Sequence, residues 1–298
     1  TMGCVLPAGL GQAPARQAAL GAGIPDVTPC ATINKVCGSG MKAIMLEHDT
    51  LIANNSEIQI AIAGGMESMT NTPYYLDKAR GGYRLGNGKI YDHMFVDGLE
   101  DAYSNGKLMG VFADATAKKY NISRSEQDQF ALRSLELANQ AIKNNWFSAE
   151  ITPVAVELKT GQVQVMTDEV PSRCKPEKVP NLKPAFEPNG TVTAANSSAI
   201  ADGATALVLM RQSMAKQLNL QPLAKILAHA SVSGEPQWFT TAPIASIQKL
   251  LKKANLKQDQ IDLFEINEAF AVVTLVAIKE LKLDINKVNV YGGACALG

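Results

Sequence analysis

Two stretches hold the side chains best suited to chemistry. In INKVCGSGMKAIMLEHDTLI, residues 33–52, Cys37 stands between an apolar approach and a run whose apolar positions Met41, Ile44, Met45, Leu51 and Ile52 fall at helical spacing. By residue type alone, a cysteine is more often a buried structural thiol than a nucleophile. The setting improves the odds of a nucleophile. Gly38, Ser39 and Gly40 let the backbone turn sharply and leave room for a ligand, and the orphan N–H groups of a helix start favour a thiolate. In FEINEAFAVVTLVAI, residues 264–278, Asn267 falls where a strand gives way to a helix. A polar side chain there either caps the helix or holds a water or carbonyl oxygen in a site. YDHMFVDGLEDAY supplies His93, one of three histidines, with His48 in the first helical pattern and His229 in a strand pattern. Any single histidine is more commonly a packed or surface residue than a catalyst. GTVTAANSSAIADGA, residues 190–204, offers small residues and hydroxyls that suit an extended ligand lying close to backbone, or a simple turn at a sheet edge.

The elements that must position these residues read as a layered α/β protein. Continuous apolar runs at 58–65, 204–210, 224–230, 261–266 and 287–293 predict strands covered on both faces, each joined to a helical pattern. Between them, residues 67–197 are rich in glycine, proline and polar residues and hold one strong helix. Its Ser123 and Glu126 form a capping box, and Phe130, Leu132, Leu135 and Ile142 give it one buried side. The expected organisation is an N-terminal half at 1–66, a loop subdomain at 67–197, a return to the first half at 198–217, and a C-terminal half at 218–298. IAGGMES and VYGGACALG, each a strand followed by Gly-Gly, hint that the halves are alike.

Composition excludes several classes. With 298 residues, 46% hydrophobic and 19% charged, the chain can bury a sizeable core. Lys plus Arg equals Asp plus Glu at 28 each without charge runs, so neither a nucleic-acid groove nor an acidic membrane surface is expected as a partner. Cys4, Cys30, Cys37, Cys174 and Cys295 are widely spaced, with no CxxC pair and no zinc-ligand spacing, which predicts a reduced compartment and no metal site. No apolar run approaches the roughly 20 residues of a membrane span, and no glycine-rich nucleotide motif precedes a helix. TMGCVLPAGLGQ starts at full apolar strength and VNVYGGACALG stops inside a glycine-rich turn, so the chain is expected to be cut at both ends.

In order along the chain, GLGQAPARQAA, INKVCGSGMKA, IAGGMESM, DHMFVDGLEDAY, KPAFEPNGTVTAANSS, INEAFA and NVYGGACALG resemble the thiolase family, in its short-chain acetyl-CoA acetyltransferase branch. The likeness covers essentially the whole chain. It implies two similar layered α/β halves with an inserted loop subdomain that carries coenzyme A contacts. It also implies a reversible Claisen condensation of two acetyl-CoA to acetoacetyl-CoA plus CoA through an acyl-cysteine. Cys37, in an NxxCxSG motif, takes the role of acyl-accepting nucleophile. Asn267, in NEAF, holds a water that helps form an oxyanion hole. His93 and Met94 line the pantetheine and acyl channel, and Leu85, Phe186, Ala194, Ser198, Ala269 and Phe270 contact the coenzyme A arm.

The resemblance further implies CoA thioesters as substrates with no cofactor and a homotetramer built as a dimer of dimers, while the reduced compartment read from the cysteines gives a cytoplasmic location as the expectation. Any targeting segment would precede residue 1. The family pattern continues after GGACALG with an activating histidine and later a CxGGG cysteine, neither within these 298 residues. The first strand and helix of the N-terminal half are likewise outside them. Arg173 lies one place beyond the family's DExxR arginine, so that adenine-gripping role is not carried over. Leu135 stands where potassium-responsive members have tyrosine, so no potassium requirement is expected. The alternatives are a thiolase for longer 3-ketoacyl chains and a non-catalytic acyl-CoA-binding relative.

Overall fold

The computed structural model describes residues 1–53, 57–104 and 106–298. Among these, the elements in chain order are β1 (Met2–Gly3), α1 (Pro14–Gly21), β2 (Thr32–Ile33), α2 (Ser39–Ile52), β3 (Ile60–Ser68), β4 (Tyr74–Tyr75), β5 (Tyr91–Asp92), α3 (Met109–Tyr120) and α4 (Arg124–Lys143). They continue with β6 (Val154–Leu158), β7 (Gly161–Val165), α5 (Val170–Arg173), β8 (Asp202–Met210), α6 (Gln212–Gln217), α7 (Ala242–Ala254), α8 (Ala271–Leu281) and α9 (Ala294–Leu297). The chain forms two compact units, Thr1–Lys107 with Ala201–His229, and Leu108–Ile200 with Ala230–Gly298. No helix among the described residues is long and apolar enough to cross a membrane.

The first unit is built on a four-stranded sheet of order β2-β1-β3-β8, with β1 parallel to β2 and β3, and β8 antiparallel to β3. Small residues let α2 lie directly on it. A Cβ on Gly3 would sit 2.6 Å from the backbone carbon of Ser39, and one on Gly65 would sit 3.3 Å from the Cα of Gly40. Along β3, Ala61 and Ala63 are buried while Ile60 and Ile62 are exposed. This corrects the expectation of strands covered on both faces: on β8, Leu207 and Val208 are 45% and 65% exposed. The predicted strand at 224–230 forms no ladder, so His229 lies outside any strand.

The second unit is mainly helical. From Ala271 to Ile278 α8 is apolar apart from Thr274 and largely buried, with Ala271, Val272, Val276 and Ala277 at 0% exposure, while Lys279 and Glu280 near its end are exposed. It packs with Ala113, Ala117, Ile122, Val192 and Phe270 into one core and, through Ala277 and Leu281, with Ile266, Leu283 and Val288 into another. The capping box of α4 is present as expected, Glu126 N–H donating to Ser123 Oγ and Ser123 N–H to Glu126. A second helix, α3, also falls within 67–197. Its sequence MGVFADATAKKY buries mostly small residues, which give a weak apolar periodicity.

Residues 261–266 and 287–293 meet at one parallel bridge, Phe264 to Val288, and do not form the predicted strands. The next rungs are made by a side chain. Asn289, in the left-handed region at φ 46°, accepts the N–H of Ile266 on Oδ1 and donates Nδ2 to the Ile266 carbonyl, both at 2.8 Å.

Candidate active site

In the first unit, Cys37 sits immediately ahead of α2 on a cross-linked turn. Asn34 Oδ1 accepts the Val36 N–H at 2.8 Å, and Ser39 Oγ accepts from Lys35 N–H at 2.8 Å while donating to the Val36 carbonyl at 2.6 Å. These bonds hold Val36 at φ 47°, a left-handed conformation that costs a β-branched residue on the order of 1–3 kcal/mol. Cys37 itself is exposed. As a residue it is therefore not sealed in the core.

Its acidity differs from the expectation drawn from the helix start. Atoms crowded around the sulfur desolvate the thiolate and push the Cys37 pKa up. Its backbone hydrogen bond acts in the opposite sense, and the Glu67 carboxylate adds a further upward push. Desolvation outweighs the donor. Glu67, on β3, is fixed in place because it accepts the N–H groups of Val5 at 2.8 Å and Leu6 at 2.9 Å.

His93 is buried, with Nδ1 2.6 Å from Asp97 Oδ2 and Nε2 accepting the Ala8 N–H at 3.3 Å. A neutral ring protonated on Nδ1 satisfies both contacts. Asp97 reaches back because residues Phe95–Leu99 form a single π turn, closed by Glu100 N–H donating to the Phe95 carbonyl at 2.7 Å. Met94, next to His93, is half-buried, whereas Leu85 is 99% exposed on a fully exposed run.

In the second unit, Asn267 precedes α8 by several residues, and Phe270 is the N-cap. The capping role is thereby removed. Asn267 is exposed, and its amide makes no hydrogen bond to the described residues. Its neighbour Glu268 is 1% exposed and accepts from Ser134 Oγ at 2.7 Å, Asn289 Nδ2 at 2.8 Å and Cys295 N–H at 3.0 Å. Gly293 is required beside it, since a Cβ there would lie 2.4 Å from the Glu268 carboxyl carbon. Burial first, then the Glu268 charge, pushes the Cys295 thiol well up.

The 190–198 strap is more than a turn. Asp114 Oδ1 on α3 accepts the N–H groups of Thr191 and Val192 at 2.6 and 3.0 Å. Asp128 on α4, paired with Arg124 at 2.7 Å, accepts from Asn196 Nδ2 at 2.9 Å. Thus anchored, the strap donates Ser198 N–H to the Ala269 carbonyl at 3.0 Å and pairs Ser197 with Phe270. Phe270 meets Phe186 edge-to-face at 5.9 Å. Phe186, Ser198, Ala269 and Phe270 are thereby drawn together. Ala194 lines a cavity of about 230 Å³ with Leu135, Arg173, Cys174, Cys295 and Ala296.

Sequence reasoning singled out neither Glu67 nor Glu268. Glu268 left no distinct signal, since Glu265 and Asn267 stand beside it in the same FEINEAF stretch.

Residues 1–213 match the family described as thiolase, N-terminal domain, and residues 220–298 match thiolase, C-terminal domain. A probable acetyl-CoA acetyltransferase of Dictyostelium discoideum is 51% identical over 298 residues, covering 100% of this chain and 71% of the relative. The mitochondrial acetyl-CoA acetyltransferase of Mus musculus is 48% identical over 299 residues, covering 100% and 69%. Among solved structures, the Acat5 thiolase of Ascaris suum in complex with coenzyme A superposes with a TM-score of 0.93. It has 42% identity and covers 100% of this chain and 75% of its own.

Proposed function

Because this chain belongs to the thiolase family, we propose that it is an acetyl-CoA C-acetyltransferase, an acyltransferase that interconverts two acetyl-CoA with acetoacetyl-CoA and CoA. The observation that carries the proposal is Cys37 itself, an exposed thiol fixed at the start of α2 by a hydrogen-bonded, strained turn. In the thiolysis direction, Cys37 Sγ attacks the keto carbon of acetoacetyl-CoA, the carbon–carbon bond breaks, and the departing acetyl-CoA enolate takes a proton. The thiol of CoA then attacks the acetyl-Cys37 thioester, releasing a second acetyl-CoA and restoring the cysteine. Exchange between thioesters of similar energy keeps the acyl group activated. Since desolvation and Glu67 favour the neutral thiol, a base must take the Cys37 proton as attack begins.

Stabilising the enolate and tetrahedral oxyanions needs positioned donors, each worth about 3 kcal/mol. Asn267 serves here by holding a water at a thioester oxygen. Its exposed amide, uncommitted among the described residues, supports that role. His93 and Met94 line the acyl channel, with the ring of His93 locked by Asp97 and Ala8. Leu85, Phe186, Ala194, Ser198, Ala269 and Phe270 contact the coenzyme A arm. The thioesters are substrates, and no cofactor enters.

The protein works as a homotetramer in the cytoplasm in this reading, and exposed apolar residues of β3 and β8, such as Ile60 and Val208, support self-association. The deciding experiment is thiolysis of acetoacetyl-CoA by the purified protein and by Cys37→Ala. Loss of about 10³-fold or more is expected, and undiminished turnover by the variant would remove the assignment.

A further inference from the structure

Two of the three histidines meet in the first unit, away from the residues described above. His229 Nε2 lies 2.8 Å from Asp49 Oδ1, and His48 Nδ1 lies 3.6 Å from the same oxygen. One donor atom from each residue falls within 4.8 Å of the other two. The imidazoles stand edge to face at 5.3 Å, each side chain 18% exposed, with the carboxylate open to solvent at 53%.

The decisive atom is His48 Nδ1. It is shut off from water and makes no hydrogen bond to the described residues, and 3.6 Å to Asp49 is too long for one. A buried ring nitrogen without a hydrogen bond is costly, whereas a lone pair directed at a cation is satisfied. Two imidazoles and a carboxylate form a donor set for a borderline divalent ion, with water completing a tetrahedron. Ligands about 2.0–2.2 Å from such an ion stand roughly 3.3 Å apart, so small side-chain rotations close the site.

We propose that His48, Asp49 and His229 bind a divalent transition-metal ion, zinc foremost, which ties the C-terminal half of α2 to the 224–230 segment. Sequence spacing hides the site because Asp49 and His229 are 180 residues apart.

The test is a zinc titration against a chromophoric chelator, using protein whose cysteines have been alkylated so that thiolates do not compete. One equivalent of tightly held zinc is expected, with at least about tenfold weaker binding in His48→Gln and His229→Gln. Asp49→Asn, an exposed substitution, provides a third variant should either histidine change perturb folding by circular dichroism. Cobalt(II) should give a tetrahedral spectrum without thiolate charge-transfer bands. Absence of stoichiometric binding, or binding unchanged in the variants that fold, overturns the proposal.

Discussion

Cys37 is not sealed in the core, yet its acidity is set by its neighbours more than by the helix start next to it. Desolvation by the atoms packed around the sulfur, with a smaller push from the charge of Glu67, raises the thiol above its ordinary 9.0. Alkylation of Cys37 by iodoacetamide is therefore expected to keep accelerating with pH beyond 9.0. Glu67→Gln, by removing a negative charge, should move that profile to lower pH; a shift upward would contradict the electrostatic account. Glu268 makes a different prediction. Truncating it to alanine strands Ser134, Asn289 and the Cys295 N–H in the interior, at a cost of about 3 kcal/mol, measured by urea denaturation. Cys37 and Asn267 were visible as candidates from residue type and motif. Glu67 and Glu268 were not, because a carboxylate's role depends on which N–H groups are folded against it.

At the scale of elements, α4 was legible in its capping box, and Ser123→Ala should cost about 1 kcal/mol in a thermal melt. α2 was legible as a helix, but its closeness to the sheet was not. That closeness requires Gly3, whose absent Cβ would collide with Ser39, in the first turn beyond Cys37. Gly3→Ala is expected to cost about 2–3 kcal/mol and, on the proposed role of Cys37, to lower thiolysis by displacing α2. Retention of both stability and rate would show that α2 can give way. The predicted strands at 224–230, 261–266 and 287–293 failed for a common reason. An apolar run specifies that a segment wants burial, whereas a strand also needs a partner in register. At 264–289 the amide of Asn289 makes the rungs that backbone would otherwise supply.

For the whole molecule, homotetramer formation predicts a sedimenting mass four times that of the chain, and the acetyl-CoA assignment predicts thiolysis that falls steeply as the 3-ketoacyl chain lengthens. A flat profile would favour the longer-chain alternative. The sequence by itself determined the family and the layered α/β class and singled out Cys37 as the candidate nucleophile, because these reside in residue types at short spacing and in apolar patterns read locally. Tertiary structure alone decided which carboxylates face Cys37 and Asn289, which strand faces stay open, and that His48, Asp49 and His229 converge. Such contacts join residues distant in sequence, and their energies depend on distances of a few ångströms that no local pattern encodes.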